Sequence, residues 1–126
     1  MEKYSQEDLQ FFKELLLKKR AKVLKNLEYL RSTVLDETTR DASGDHSSYS
    51  FHMADQGTDA MEREKAFMFA ARDEKYLKQI DDALERIENG TYGICRETGK
   101  LISKERLKAV PTTTISVEAK LAEKKS

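Results

Sequence analysis

The side chains with most chemistry to offer are one cysteine, two histidines and a group of aspartates. Cys95 with His46 or His52 would be the minimum for thiol catalysis, the imidazole drawing off the thiol proton. Their placement argues against it, because Cys95 follows a Tyr92-Gly93 turn and both histidines sit far upstream in a polar stretch. There is no glycine-rich phosphate loop, no His-Glu-x-x-His pair and no Gly-x-Ser-x-Gly elbow, so an enzyme is not expected. Structural zinc needs four thiolate or imidazole ligands in two close pairs. Cys95 is followed at the right interval by Thr98, and Ser116 and Ala119 stand where a second pair would fall. A hydroxyl is a poor zinc ligand and a methyl is none, so no metal or other cofactor is expected. Cys95 reads as a small buried residue.

The aspartates are more suggestive. Asp41, Asp45, Asp55 and Asp59 gather in and just after Glu37–Ala54, a stretch rich in Thr, Ser, Asp and Gly. The plain reading is structural: Asp55 or Thr58 simply starts a helix. The functional one is a set of carboxylates carried at the end of a rigid support, able to reach a bound cation or basic surface in a deep cavity. Lys100, Lys104, Arg106 and Lys108 lie in a separate part of the chain, as a docking surface or a solvated one.

Two long helices are expected to supply the support. In the first, Leu9, Phe12, Leu16, Val23, Leu27, Leu30 and Val34 form one apolar stripe, with Lys19 the missing step. Ser5 is placed to cap it by accepting the N–H of Asp8, and Tyr4 and Leu9 occupy the hydrophobic-staple positions. The stripe runs to about Asp36, some thirty residues or roughly 45 Å of helix. In the second, Ala66, Phe69, Tyr76, Ile80, Ala83 and Ile87 recur at steps of three and four, interrupted only at Asp73. Leu77 and Leu84 widen that seam. Gly90 fits just past the helix end, where a positive φ costs it nothing.

A helix that long with one apolar stripe needs a partner. The spacing predicts an antiparallel helical hairpin of coiled-coil type over residues 1–90, with a tip loop at about 37–57. Dimerisation through the same stripes is the rival geometry. Tyr49, Phe51 and Met53 alternate within the loop, as a short extended segment or as packing for the hairpin end. Residues 91–126 form a second, irregular module. Tyr92-Gly93, Thr98-Gly99-Lys100 and Val110-Pro111 mark its turns, and Ile115–Lys125 is a short C-terminal helix. No internal repeat is visible.

The totals agree with an all-α chain. Of 126 residues, 37% are charged, one is proline and none is tryptophan, while mean hydropathy is −0.74, so the core is small relative to the surface. Twenty-three basic residues balance 23 acidic ones, which argues against a general nucleic-acid coat. A single cysteine fits a reducing compartment. No apolar run approaches the roughly 20 residues needed to span a bilayer, and the acidic, polar start is unlike a secretory signal. A cytoplasmic protein without a membrane partner is expected.

Three segments carry a resemblance: His52-Met-Ala-Asp-Gln-Gly-Thr-Asp59, Ile80-Asp-Asp-Ala-Leu-Glu-Arg-Ile-Glu-Asn-Gly-Thr-Tyr-Gly-Ile-Cys95, and Arg106-Leu-Lys-Ala-Val-Pro111. The chain resembles the DksA/TraR family of bacterial transcription regulators over most of Leu9–Lys120. That likeness implies an arm that enters the secondary channel of RNA polymerase and acts near its active site through a tip bearing aspartates and an alanine. It implies no direct sequence-specific DNA binding, while the hairpin geometry predicts a monomer. The tip aspartate falls on Asp55. The family's second aspartate is His52 here and its alanine is Gly57, with Asp59-Ala60 one turn further on as substitutes. The four zinc cysteines of the family align with Cys95, Thr98, Ser116 and Ala119. The resemblance therefore implies a zinc-ribbon-like module that has lost its ligands and packs through Ile94, Leu101, Ile102, Leu107, Val110 and Ile115. Of the basic residues that hold the alarmone ppGpp in some members, the nucleotide of the stringent response, Arg72 and Lys120 are kept, whereas two others are Gln79 and Val110. Arg72 and Lys120 are thus candidate effector or polymerase contacts. The rival readings are a coiled-coil adaptor with no polymerase role and a redox or zinc sensor built on Cys95.

Overall fold

A computed structural model describes residues 2–35 and 56–125, with side chains over 2–32 and 60–124. The Glu37–Ala54 link, Asp55 and both histidines lie outside the described residues.

Among the described residues, all regular elements are helical. Helix α1 is Gln6–Tyr29, and its last turn widens into a π-helical segment, Leu30–Leu35. Helix α2 is Gln56–Asn89, α3 is Lys104–Ala109 and α4 is Val117–Lys125. The expected run of the first helix to about Asp36 thus ends in a changed hydrogen-bond pattern rather than a continued α-helix. Two compact units form: Met1–Ala21 with Lys78–Ser126, and Lys22–Leu77.

In the first unit, Leu9, Phe12 and Leu16 of α1 and Ile80 and Ala83 of α2 are buried, together with Tyr92, Ile102, Leu107 and Pro111. Lys13 pairs with Glu88 at 3.2 Å and Arg20 with Asp81 at 2.8 Å. Numbers rise along α1 as they fall along α2, so the two helices run antiparallel here. These pairs are exposed and contribute at most about 1 kcal/mol each, which leaves the apolar seam as the main holding force. In the second unit, Val23 and Leu27 of α1 and Ala66 and Ala70 of α2 are buried, and Arg31 pairs with Glu74 at 2.9 Å.

The seam of α2 differs from expectation at one layer. Phe69 was expected inside; it is 44% exposed, and Ala70 is buried instead. Ala66 and Ala70 form an i,i+4 row whose methyl groups let the helices approach closely, whereas a phenyl ring would hold them apart. Asp73, expected to break the register, lies three residues beyond Ala70 in the same seam, with its side chain only 13% exposed. The Phe69 ring lies outside with the Arg72 guanidinium 5.0 Å from its centroid.

Sequence explains where the helices begin and end. Ser5 caps α1 by accepting the N–H of Asp8 at 3.2 Å. Ser103 caps α3 through Arg106 N–H, also at 3.2 Å. At the end of α2, Gly90 takes φ +77, donates its N–H to Ile87 C=O at 3.2 Å, and is followed by Thr91 N–H to Arg86 C=O at 2.9 Å. That pair of bonds is a Schellman cap, which satisfies carbonyls the helix would otherwise strand. Tyr4, just before α1, has partners beyond the staple position. It packs edge-on against Phe12, with centroids 6.2 Å apart, and donates its hydroxyl to Ile102 C=O.

Candidate functional site

The residues after α2 form a compact turn module built on three backbone ties. Gly93 C=O accepts Ile102 N–H at 2.7 Å, Cys95 N–H donates to Lys100 C=O at 2.8 Å, and Gly99 N–H donates to Cys95 C=O at 2.8 Å. Ile94 and Leu101 face each other as an isolated antiparallel bridge. The module is fixed to its surroundings by Tyr92, whose hydroxyl donates to Pro111 C=O at 2.8 Å, and by Arg86 Nη2, which donates to Thr112 C=O at 3.3 Å. Burial pushes the Tyr92 phenol up and pulls the Arg86 guanidinium down from their ordinary pKa values. Tyr92 stays a neutral donor throughout the physiological range.

The core of this module corrects one expectation. Ile102, Leu107 and Ile115 are buried and Ile94 and Leu101 are half-buried, but Val110 is 38% exposed. Pro111 takes its place inside, where a ring with no N–H leaves no donor to satisfy.

The four positions singled out for metal chemistry do come together, as a hydrogen-bonded cluster. Cys95 is 1% exposed. Its Sγ accepts the N–H of Ser116 at 3.4 Å, and hydrogen bonds from Thr98 and from the Ser116 hydroxyl also reach it. Ser116 Oγ in turn accepts Ala119 N–H at 3.2 Å, which makes Ser116 the N-cap of α4. Burial raises the thiol pKa, but the hydrogen bonds from Thr98 and Ser116 outweigh it and bring Cys95 down to about 6. The cap on α4 was missed in the sequence. Its signal was present in Ser116 followed by an acid, Glu118, in the first turn.

The other candidate residues are placed as follows. Asp59 and Ala60 lie near the start of α2, and Ala60 is exposed. Arg72 is exposed on α2, beside Phe69 and 3.8 Å from Asp73. Lys120 is exposed on α4. Of the basic residues in the turn region, Lys104 pairs with Asp8 at 3.1 Å, and this contact holds the Asp8 carboxyl below its usual range. Lys108 Nζ lies 5.6 Å from the Phe11 centroid. Both are thus engaged by α1.

Residues 90–123 match the model of the prokaryotic DksA/TraR C4-type zinc finger. The RNA polymerase-binding transcription factor DksA of Caulobacter vibrioides is 35% identical over 111 residues, 88% of this chain and 72% of that one. The solved structure of transcription factor DksA2 from Pseudomonas aeruginosa is similar at a TM-score of 0.78 and 30% identity, covering 96% of this chain and 86% of that one. The uncharacterized protein YteA of Bacillus subtilis is 45% identical over 78 residues, and this chain spans 33% of its length. The chain belongs to the DksA/TraR family of transcription regulators.

A C4 zinc centre does not fit the residues present. One thiol, two hydroxyls and a methyl stand at the four positions, and the lone pairs of Cys95 Sγ and Ser116 Oγ already accept N–H groups. Among the described residues, no group of three or more His, Cys, Asp or Glu is arranged to hold a metal ion. No helix among the described residues is long and apolar enough to cross a membrane.

Proposed function

We propose that this chain is a cytoplasmic regulator of bacterial transcription that binds RNA polymerase through its secondary channel. In this reading residues 1–90 form a coiled-coil arm and residues 91–126 a degenerate zinc-ribbon-like foot. The arm carries Asp55, Asp59 and Ala60 toward the polymerase active site. There the carboxylates alter the field around the catalytic cation and change initiation, with no sequence-specific DNA contact by this chain. Arg72 and Lys120 serve as effector or polymerase contacts, and with Gln79 and Val110 at two other basic positions the dependence on ppGpp is weak or absent. The observation that carries the reading is the 35% identity over 111 residues to a protein named as an RNA polymerase-binding transcription factor. The antiparallel pairing of α1 and α2 supports it, since a paired support is what a positioned tip requires.

The test separates binding from effect. Wild type and the double variant Asp55→Asn, Asp59→Asn are compared for capture of bacterial RNA polymerase and for transcription from a responsive promoter. Binding should stay within about twofold while the transcriptional effect is lost, because Asn keeps the shape and removes the charge. A variant that loses binding while remaining folded would count against this division of labour. An adaptor with no polymerase role would fail the capture outright.

A further inference from the structure

We infer that positions 95, 98, 116 and 119 retain the frame of a four-sulfur metal centre, and that hydrogen bonds converging on Cys95 Sγ make the junction a metal would make. The full chain carrying Thr98→Cys, Ser116→Cys and Ala119→Cys would accordingly bind one zinc or cobalt ion in a tetrahedral thiolate site, whereas the natural chain binds none. The inference is independent of any role at the polymerase.

In a tetrahedral site with Zn–S near 2.3 Å, the sulfurs lie about 3.8 Å apart. Ser116 N lies 3.4 Å from Cys95 Sγ. Hydrogen bonds from Thr98 and Ser116 are what hold the Cys95 thiol below its ordinary range. Positions 98 and 116 are therefore both neighbours of that sulfur, and the Ser116 backbone lies closer to it than such an edge is long. Position 119 is brought to the same place by the cap, with Ala119 N 3.2 Å from Ser116 Oγ and its side chain buried. A second tie, Arg96 N–H to Thr114 C=O at 2.9 Å, locks the Cys95 turn to the segment that leads into α4.

Gly99 closes the Cys95 turn with φ +71, and nothing lies within 4 Å of the side it leaves open. The site is shielded, since Cys95 is 1% exposed and Ser116 is 8% exposed. What has changed is the donor chemistry. Ser116 is nearly a cysteine in shape, but its oxygen now caps α4 and its N–H serves the sulfur of Cys95. In a C4 site a metal draws four thiolates together. Here one sulfur is the shared acceptor, and two hydroxyl residues bring their donors to it.

Purified, reduced full-length protein is analysed for zinc, and melting is followed with and without EDTA. The natural chain should carry no stoichiometric zinc, and EDTA should leave its melting temperature unchanged. The triple variant should take up one cobalt ion per chain with the absorption of a tetrahedral thiolate complex. Zinc should displace the cobalt, and the melting temperature should then rise and become EDTA-sensitive. Stoichiometric zinc in the natural chain would overturn the inference. So would a triple variant that folds yet binds no metal, or one that stays unfolded with zinc present. Ser116→Ala and Ser116→Thr in the natural background test the junction separately. The first should lower the melting temperature and the second should largely restore it, with no response to EDTA in either. Equal melting of Ser116→Ala and the natural chain would refute the hydrogen-bonded junction.

Discussion

Replacing Gly93 by alanine should be among the most damaging single-methyl changes in the molecule. Two costs add. Gly93 has φ +78, and an L-residue held in the left-handed region costs about 1–2 kcal/mol. Its new Cβ would also lie 2.6 and 2.7 Å from ring carbons of Tyr4, and 3.4 Å from Leu107 Cδ1. The Tyr4 ring is not free to swing aside, because its hydroxyl donates to Ile102 C=O and its edge packs on Phe12. Overpacking of this kind costs about 1–3 kcal/mol. The total is about 3 kcal/mol, a large share of a domain stability of roughly 5–15 kcal/mol. Gly99 provides the internal control. Its φ is +71 but nothing lies within 4 Å, so Gly99→Ala should cost only the backbone share, about 1–2 kcal/mol. Urea unfolding followed by circular dichroism measures both. In a Tyr4→Ala background the Gly93→Ala cost should fall to that of Gly99→Ala. Equal costs at the two glycines, or a Gly93 cost that Tyr4→Ala leaves unchanged, would refute the reasoning.

Other outcomes follow from the same geometry. Phe69→Ala should change stability by no more than about 0.5 kcal/mol, whereas Ala70→Leu should cost about 1–3 kcal/mol by forcing the helices apart; urea midpoints decide which residue fills the seam. Cys95 titrates in the folded chain near 6 and in the unfolded chain near about 8.5. Its folded value is depressed, so its contribution to stability is fully present above the unfolded value and is lost as pH falls through about 6. The stability difference between wild type and Cys95→Ala should therefore shrink on acidification, and a difference that grows would contradict the assignment. A fragment of residues 90–126 should be unfolded with or without zinc, as read by dispersion of its amide NMR signals, because much of its cover comes from α1 and the end of α2.

Much of this was legible in the sequence because helices report their packing periodically. Leu9, Phe12, Leu16, Val23 and Leu27 fell on the buried face as their spacing required, and Asn89-Gly90 marked the end of α2. What was misread turned on choices that periodicity leaves open. Steps of three and four from Ala66 allow either Phe69 or Ala70, and hydrophobicity favoured the wrong one because close approach of two backbones rewards small size. Val110 and Pro111 present a similar ambiguity, decided by Tyr92, whose hydroxyl seeks the Pro111 carbonyl. Tyr4 also has partners far along the chain at Gly93 and Ile102, which its position before α1 does not reveal. The candidate metal positions were legible as a set, but the cap that Ser116 makes on α4 depends on where α4 begins.

The cluster at Cys95 explains register more readily than it explains stability. Structural zinc supplies on the order of 10 kcal/mol or more to small finger modules. An N–H to sulfur bond, two hydroxyl bonds and a helix cap contribute about 1 kcal/mol each. The deficit must be met by apolar burial, and the structure identifies where. Tyr92, Ile102, Leu107 and Pro111 are all below 2% exposure. The Tyr92 ring lies 5.6 Å from that of Phe12 on α1, while Lys104 and Lys108 reach back to Asp8 and Phe11 on the same helix. Burying one such side chain stabilises by about 1.5–3 kcal/mol, so four of them match the missing metal in magnitude. A zinc module can fold as an island. This one has exchanged that independence for a foundation shared with the first turns of α1 and the last turns of α2, so that loss of either helix end should release the module as well.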